Sequence, residues 1–110
     1  MAGTFELKKS SDQQFRFVLK ADTGETLLTS ELYKTKGSAE QGVAAVQTNC
    51  VLGERYELKR ASNGQAFFNL KAANHQVIGT SPLHATDAAR DADVARLKAQ
   101  GALATIKDLT

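Results

Sequence analysis

The chain has 110 residues, 42% of them apolar, with 14 basic and 12 acidic side chains and a formal net charge of +2. That length suits one ordinary domain or two half-domains sharing a core, and so even a charge balance does not announce nucleic-acid or membrane binding. The single cysteine, Cys50, excludes an intramolecular disulfide and a multi-cysteine zinc site; with no leader pattern and no apolar run near the ~18 residues of a membrane span, the expectation is a soluble cytoplasmic protein.

From the start, Phe5 to Lys9 alternates, with Phe5 and Leu7 on one side and Glu6 and Lys8 on the other, the period of a half-buried strand. Ser10 to Gln13 has turn chemistry. Phe15 to Lys20 alternates again, with Phe15, Phe17 and Leu19 inward and Arg16, Val18 and Lys20 outward. Pairing Leu7 with Phe17 and Phe5 with Leu19 gathers the apolar groups on one face, and a slip of one residue buries Glu6 or Arg16. Asp22-Thr23-Gly24 is the next turn, with Gly24 expected in the left-handed region. Thr26 to Ser30 reads as a third strand with Leu27 inward beside Leu19, followed by a loop, Glu31 to Lys34, that carries Tyr33. A helix then runs to about Asn49, its buried stripe formed by Ala39, Val43, Val46 and Cys50. Ser38 with Gln41 resembles a capping box, and Thr35 is a rival N-cap.

The same plan returns at an offset of 51 residues, where about a third of positions from Phe5 to Gln47 match without a gap. Glu6-Leu7-Lys8 returns as Glu57-Leu58-Lys59, Leu19-Lys20-Ala21 as Leu70-Lys71-Ala72, Thr29-Ser30 as Thr80-Ser81, and Val43-Ala44 as Val94-Ala95. The repeat decides between the caps: Thr35 is kept as Thr86 while Ser38 becomes Ala89, so the threonines are the expected N-caps. The second unit is expected to run Tyr56–Arg60, Gln65–Lys71 and Gln76–Ser81, with Pro82 ending its third strand. A helix from about Asp87 to Gln100 follows, then a last strand from Ala104 to Leu109. Its buried stripe keeps Val94 and Leu97, but Arg90 replaces Ala39, and Ala88, Ala92, Ala95 and Ala99 form a row on the opposite side. Val51 to Glu54 is too short a joint for independent motion. Repeats 4–53 and 54–110 are therefore expected to pack as a single domain, 1–110. Its core is expected to bury Phe5, Leu7, Phe17, Leu19, Leu27, Val43, Val46, Tyr56, Leu58, Phe68, Leu70, Ile78, Val94 and Leu97.

Gly24-Glu25, Leu27 to Glu31, Tyr33 with Lys36, and Ala39-Glu40 with Gly42-Val43 resemble the YegP-like family, small bacterial and archaeal proteins of uncharacterised function. Leu70 to Asn74 with Gln76-Val77 resembles it in the second copy, and the likeness spans nearly the whole chain. The resemblance implies an α+β fold of tandem β-β-β-α-β units. They would form one antiparallel sheet with both helices on one face and the C-terminal strands exchanged. With the strands exchanged, Ile106 is expected to face the first unit's core. The chain departs from the family at His75 and Asp93, where glycine is usual, and at Pro82 to Ala85.

Little in the pattern points to chemistry. His75 and His84 replace Gly24 and Tyr33 of the first copy, without the three or four converging ligands that a metal requires. His75 reads as a turn residue. Cys50 ends a helix, where the dipole disfavours a thiolate. Ser30, Ser38 and Ser81 have no base partner in the pattern, Asp91 and Asp93 point to different sides of a helix, and Gly37 and Gly42 have no phosphate-loop context. The remaining candidate is the outward face of the strands: Lys8, Arg16, Lys20, Lys59, Phe67 and Lys71. Basic groups around an aromatic ring resemble single-stranded nucleic-acid platforms. In the expected register, however, Glu6 lies diagonal to Arg16 and Lys20, and Glu57 to Lys71, pairs that neutralise the patch. The expectation is a monomeric, non-enzymatic interaction or structural module with a protein partner and no metal or cofactor; single-stranded nucleic-acid binding is the alternative.

Overall fold

The computed structural model describes residues 3–10 and 12–110. Three strands, β1 (Thr4–Lys9), β2 (Phe15–Lys20) and β3 (Thr26–Ser30), precede helix α1 (Lys36–Asn49). The plan repeats as β4 (Tyr56–Arg60), β5 (Ala66–Lys71), β6 (Val77–Thr80) and α2 (Asp87–Gln100), and β7 (Thr105–Asp108) closes the chain. All seven strands form one sheet in the order β4-β5-β6-β3-β2-β1-β7. One apolar cluster joins Phe5, Leu7, Phe17, Leu19, Phe68 and Leu70 of the sheet to Val43, Val46 and Leu97 of the helices, so both helices cover the same face.

The first hairpin has the expected register, Phe5 beside Leu19 and Leu7 beside Phe17. Gly24 and its counterpart His75 both take positive φ, 91° and 70°, in the turn before the third strand. Thr35 and Thr86 cap the helices, their hydroxyls accepting from the Ser38 and Ala89 amides at 3.1 Å. Ser30 and Ser81 recur for one reason. Each buried hydroxyl accepts from the amide of an inward phenylalanine on the neighbouring strand, Phe17 at 2.9 Å and Phe68 at 3.0 Å, and donates to the next residue's carbonyl. The amide and the hydroxyl are thereby satisfied inside the sheet. The alanine row of α2 lies on its exposed side, where helix propensity explains it.

The repeats meet where β3 pairs with β6, Thr29 beside its own counterpart Thr80. This is the pseudo-twofold axis of the sheet. Near it the first copy supplies a side chain where the second supplies glycine. A Cβ on Gly79, the counterpart of Leu28, would lie 2.7 Å from Leu28 Cγ, and one on Gly101, the counterpart of Cys50, 2.7 Å from Cys50 Sγ. Two identical side chains would collide there.

Several expectations are corrected. The residue beside Leu19 is Leu28, which joins the core cluster; Leu27 is also buried, as the extra residue of a bulge. Val18 faces outward but is buried, flanked by Glu6 and Thr29 on adjacent strands. The sheet has one parallel pair, β1 with β7. The closing strand does cross to the first unit, but the exchange occurs once. Ile106 lies in register with Phe5 yet is 49% exposed at the sheet's margin, and Ala104 is the residue buried there. Tyr56 and Val94 are only partly buried, and Leu58 is 53% exposed. No strand pairs with the outer edge of β4 among the described residues, whereas its counterpart β1 pairs with β7.

Candidate functional site

The exposed Leu58 belongs to a groove of about 330 Å³ between β4 and α2, lined by Gly53, Tyr56, Leu58, Asp91, Val94, Ala95 and Lys98. Period-two alternation puts Tyr56 and Leu58 on the helix side of β4, and helical spacing puts Asp91, Val94, Ala95 and Lys98 on one side of α2. Tyr56 is anchored at the groove's inner end. Its hydroxyl donates to the Cys50 carbonyl at 2.6 Å, its ring packs on Phe68 at 5.5 Å, and the Lys98 ammonium lies 5.6 Å from the ring centroid. Burial pushes the Tyr56 phenol well above its ordinary pKa, with Cys50 adding to the effect, and burial also pushes the Cys50 thiol up. Both groups are therefore protonated near neutrality and inert as nucleophiles. The groove offers apolar contact, the Lys98 cation, the Asp91 carboxylate and a strand edge unpaired among the described residues, which is equipment for binding.

The residues expected on the outer face fall into two clusters. Lys8 and Arg16 are cross-strand neighbours on β1 and β2, and Glu6 lies 3.4 Å from both Lys8 and Lys20. Lys59 and Phe67 are neighbours on β4 and β5, and Glu57 reaches Lys71 at 2.8 Å and Lys59 at 3.9 Å. Two strands, β6 and β3, separate the clusters, so they do not form one platform. The carboxylates hold the lysines in local pairs. Some burial opposes ionisation of Glu6, but hydrogen bonds from Lys20 and Lys8 outweigh it and hold the carboxyl below its ordinary pKa; the Lys71 and Asn69 hydrogen bonds do the same for Glu57.

The pattern reading missed a pair, His84 with Asp93. His84 Nε2 lies 2.7 Å from Asp93 Oδ2 and Nδ1 3.3 Å from the Ala66 carbonyl. In the first copy Tyr33 occupies the place of His84 and stacks on Phe17, centroids 6.2 Å apart. A Cβ on Gly42, the counterpart of Asp93, would lie 2.4 Å from the Tyr33 hydroxyl. The long phenol needs glycine beneath it, and the shorter imidazole leaves room that a carboxylate fills. The signal was present in the repeat as two linked replacements nine residues apart, Tyr33 to His84 and Gly42 to Asp93. Both ring nitrogens are engaged, which makes the pair a packing device and leaves neither nitrogen to act as base or ligand. Among the described residues no three His, Cys, Asp or Glu side chains converge on a metal-sized site, and no helix is long and apolar enough to cross a membrane.

A family described as Domain of unknown function (DUF1508) matches the chain twice, over residues 10–57 and 61–108. The chain is 61% identical over 110 residues to the UPF0339 protein YegP of Escherichia coli strain K12, covering 100% of both sequences. The solution NMR structure of yegP from E. coli, titled a protein of unknown function, superposes with a TM-score of 0.94, covering 100% of this chain and 95% of that one. That of a UPF0339 protein from Shewanella oneidensis, 52% identical, also superposes with a TM-score of 0.94, covering 100% and 93%.

Proposed function

The chain belongs to the DUF1508 family, and from its geometry we propose that it is a non-enzymatic module that binds another protein along the β4 edge. The carrying observation is the contrast between Leu7, fully buried beside the closing strand, and its counterpart Leu58, 53% exposed in an apolar groove beside a strand edge unpaired among the described residues. Apolar groups in a groove with a few placed polar ones are the common form of a binding site. The proposed form is a cytoplasmic monomer, a single domain 1–110 in which repeats 4–53 and 54–110 stand in for the two copies of a dimer.

Affinity purification with the full chain and with Leu58→Arg, compared quantitatively, tests the reading. A partner bound by the first and lost from the second is the expected result, and identical bound sets overturn it. The alternative, single-stranded nucleic acid on the outer face, is supported by Phe67 beside Lys59 and weakened by the Glu6 and Glu57 pairings. Retention on single-stranded DNA that falls steeply with salt would favour it.

A further inference from the structure

The kind of partner can be taken further, resting on the reading just given, because the molecule contains a filled version of the same site. On the first copy, β7 lies parallel to β1, with Phe5 beside Ile106 and Leu7 beside Asp108. The Gly3 carbonyl accepts from the Thr105 amide at 3.2 Å and the Leu7 carbonyl from the Leu109 amide at 2.8 Å. Helix α1 holds the strand at two points. The Gln47 amide donates to the Ala104 carbonyl at 3.4 Å, and the Lys36 ammonium pairs with the Asp108 carboxylate. The receiving positions on β1 and α1 have counterparts 51 residues on: Tyr56 for Phe5, Leu58 for Leu7, Lys98 for Gln47 and Asp87 for Lys36.

Among the described residues no strand pairs with the outer edge of β4, and the reason is connectivity. The counterpart of β7 would be residues 54–57, and those form the 3-10 turn at Gly53–Arg55 and the start of β4. The second copy thus keeps the groove that receives a closing strand, while the chain has used that strand as its joint. We propose that the β4 edge docks an extended segment of another protein, running parallel to β4. The segment has a lysine or arginine where β7 has Asp108.

The requirement follows from the counterparts. The place equivalent to Ala104 is that of Gly53, which lines the groove beside the Lys98 ammonium, so this chain fills it and the segment lies only alongside Tyr56–Arg60. Asp87 replaces Lys36, which reverses the preferred charge at the far end. In the free protein Arg60 Nη2 lies 2.7 Å from Asp87 and Arg90 Nη1 3.8 Å; the partner's basic group shares Asp87 with Arg60. The same reversal argues against a second copy as occupant, because its own closing strand would bring Asp108 against Asp87. Lys59 and Arg60 on a five-residue edge strand also discourage edge-to-edge pairing of two copies.

The probes are two synthetic peptides of residues 101–110, one unchanged and one carrying Asp108→Lys, titrated into the full-length protein and followed by amide chemical shifts. The lysine peptide is expected to shift amides of Tyr56–Arg60 and of the Val94–Lys98 side of α2. It should bind about five-fold more tightly than the unchanged peptide. Asp87→Lys is expected to reverse that order, and Leu58→Arg to abolish binding of both. The proposal is overturned if millimolar lysine peptide leaves Tyr56–Arg60 unshifted, if the shifts fall on β1, or if Asp87→Lys leaves the order unchanged. It is also overturned if sedimentation shows a dimer without peptide that Leu58→Arg dissociates, which would make a second copy the occupant. Should the peptides fail while the partner lost in Leu58→Arg purification remains, the interaction reading stands and only the docked-strand mode falls.

Discussion

The two ends of the sheet began as copies of one sequence and now face different surroundings. At the β1 end, Leu7 lies beside β7, is fully buried and belongs to the central cluster. At the β4 end, Leu58 occupies the same place in the repeat and is half open to solvent. The backbone plan, the alternation and the helix above are alike, and the difference lies in one strand that connectivity allows to be present only once. Burial is therefore a property of the neighbours a residue is given, and the same Glu-Leu-Lys triplet serves as core in one copy and as an exposed edge in the other. The centre of the sheet shows the opposite need. There the copies touch each other, and Leu28 over Gly79 and Cys50 over Gly101 record how symmetric positions had to become unlike to pack.

The sharpest way to break this comparison is to truncate both leucines. Leu7→Ala should cost ~2–5 kcal/mol, as for other large-to-small core changes, while Leu58→Ala should stay within about 1 kcal/mol, as a half-exposed site does. Urea unfolding measures both, and equal losses would mean that the β4 edge is covered in solution.

The second test concerns the linked replacements. His84→Tyr alone should cost ~1–3 kcal/mol, because the phenol meets Asp93. Asp93→Gly alone should cost about 1 kcal/mol or more through helix propensity and the lost hydrogen bond. Made together they recreate the first copy's Tyr33 and Gly42, and the double-mutant cycle should return a favourable coupling of ~1 kcal/mol or more. Additive losses would show that the two positions changed independently.

The smallest expected effect is on the closing strand in acid. Hydrogen bonds from Lys36 first, and then from Thr110, hold the Asp108 carboxyl well below its ordinary pKa. A carboxyl depressed by folding contributes stability that is present above its unfolded pKa, about 3.9, and is lost as pH falls toward the folded value. Amide protection in Thr105–Leu109 should therefore decline below about pH 4 before the rest of the sheet loosens. Lys36→Met should remove that early step. Protection of β7 that fell only with global unfolding would detach the Lys36–Asp108 pair from the strand's hold on β1.

Much of the architecture followed from the chain alone. Strict alternation set the register of the first hairpin, because a slip puts Glu6 or Arg16 in the core. The kept threonines set both helix starts, because a cap is a local hydrogen bond. The repeat announced two like units, their short joint implied that the units pack together, and the family resemblance implied the shared sheet. What the pattern did not contain was anything decided by contacts between distant segments. Leu58 matches Leu7 in sequence, so only the position of β7 separates them. Ile106 alternates as a core residue should, but α1 reaches that margin of the sheet through the polar Gln47 and Lys36 contacts, and Ile106 stays 49% exposed. His84 and Asp93 are nine residues apart, on a loop and a helix, and only the fold brings them to 2.7 Å, in the space that Tyr33 fills over Gly42 in the first copy. Local periodicity determines which way a side chain faces; what it meets there is set by the order in which the strands assemble.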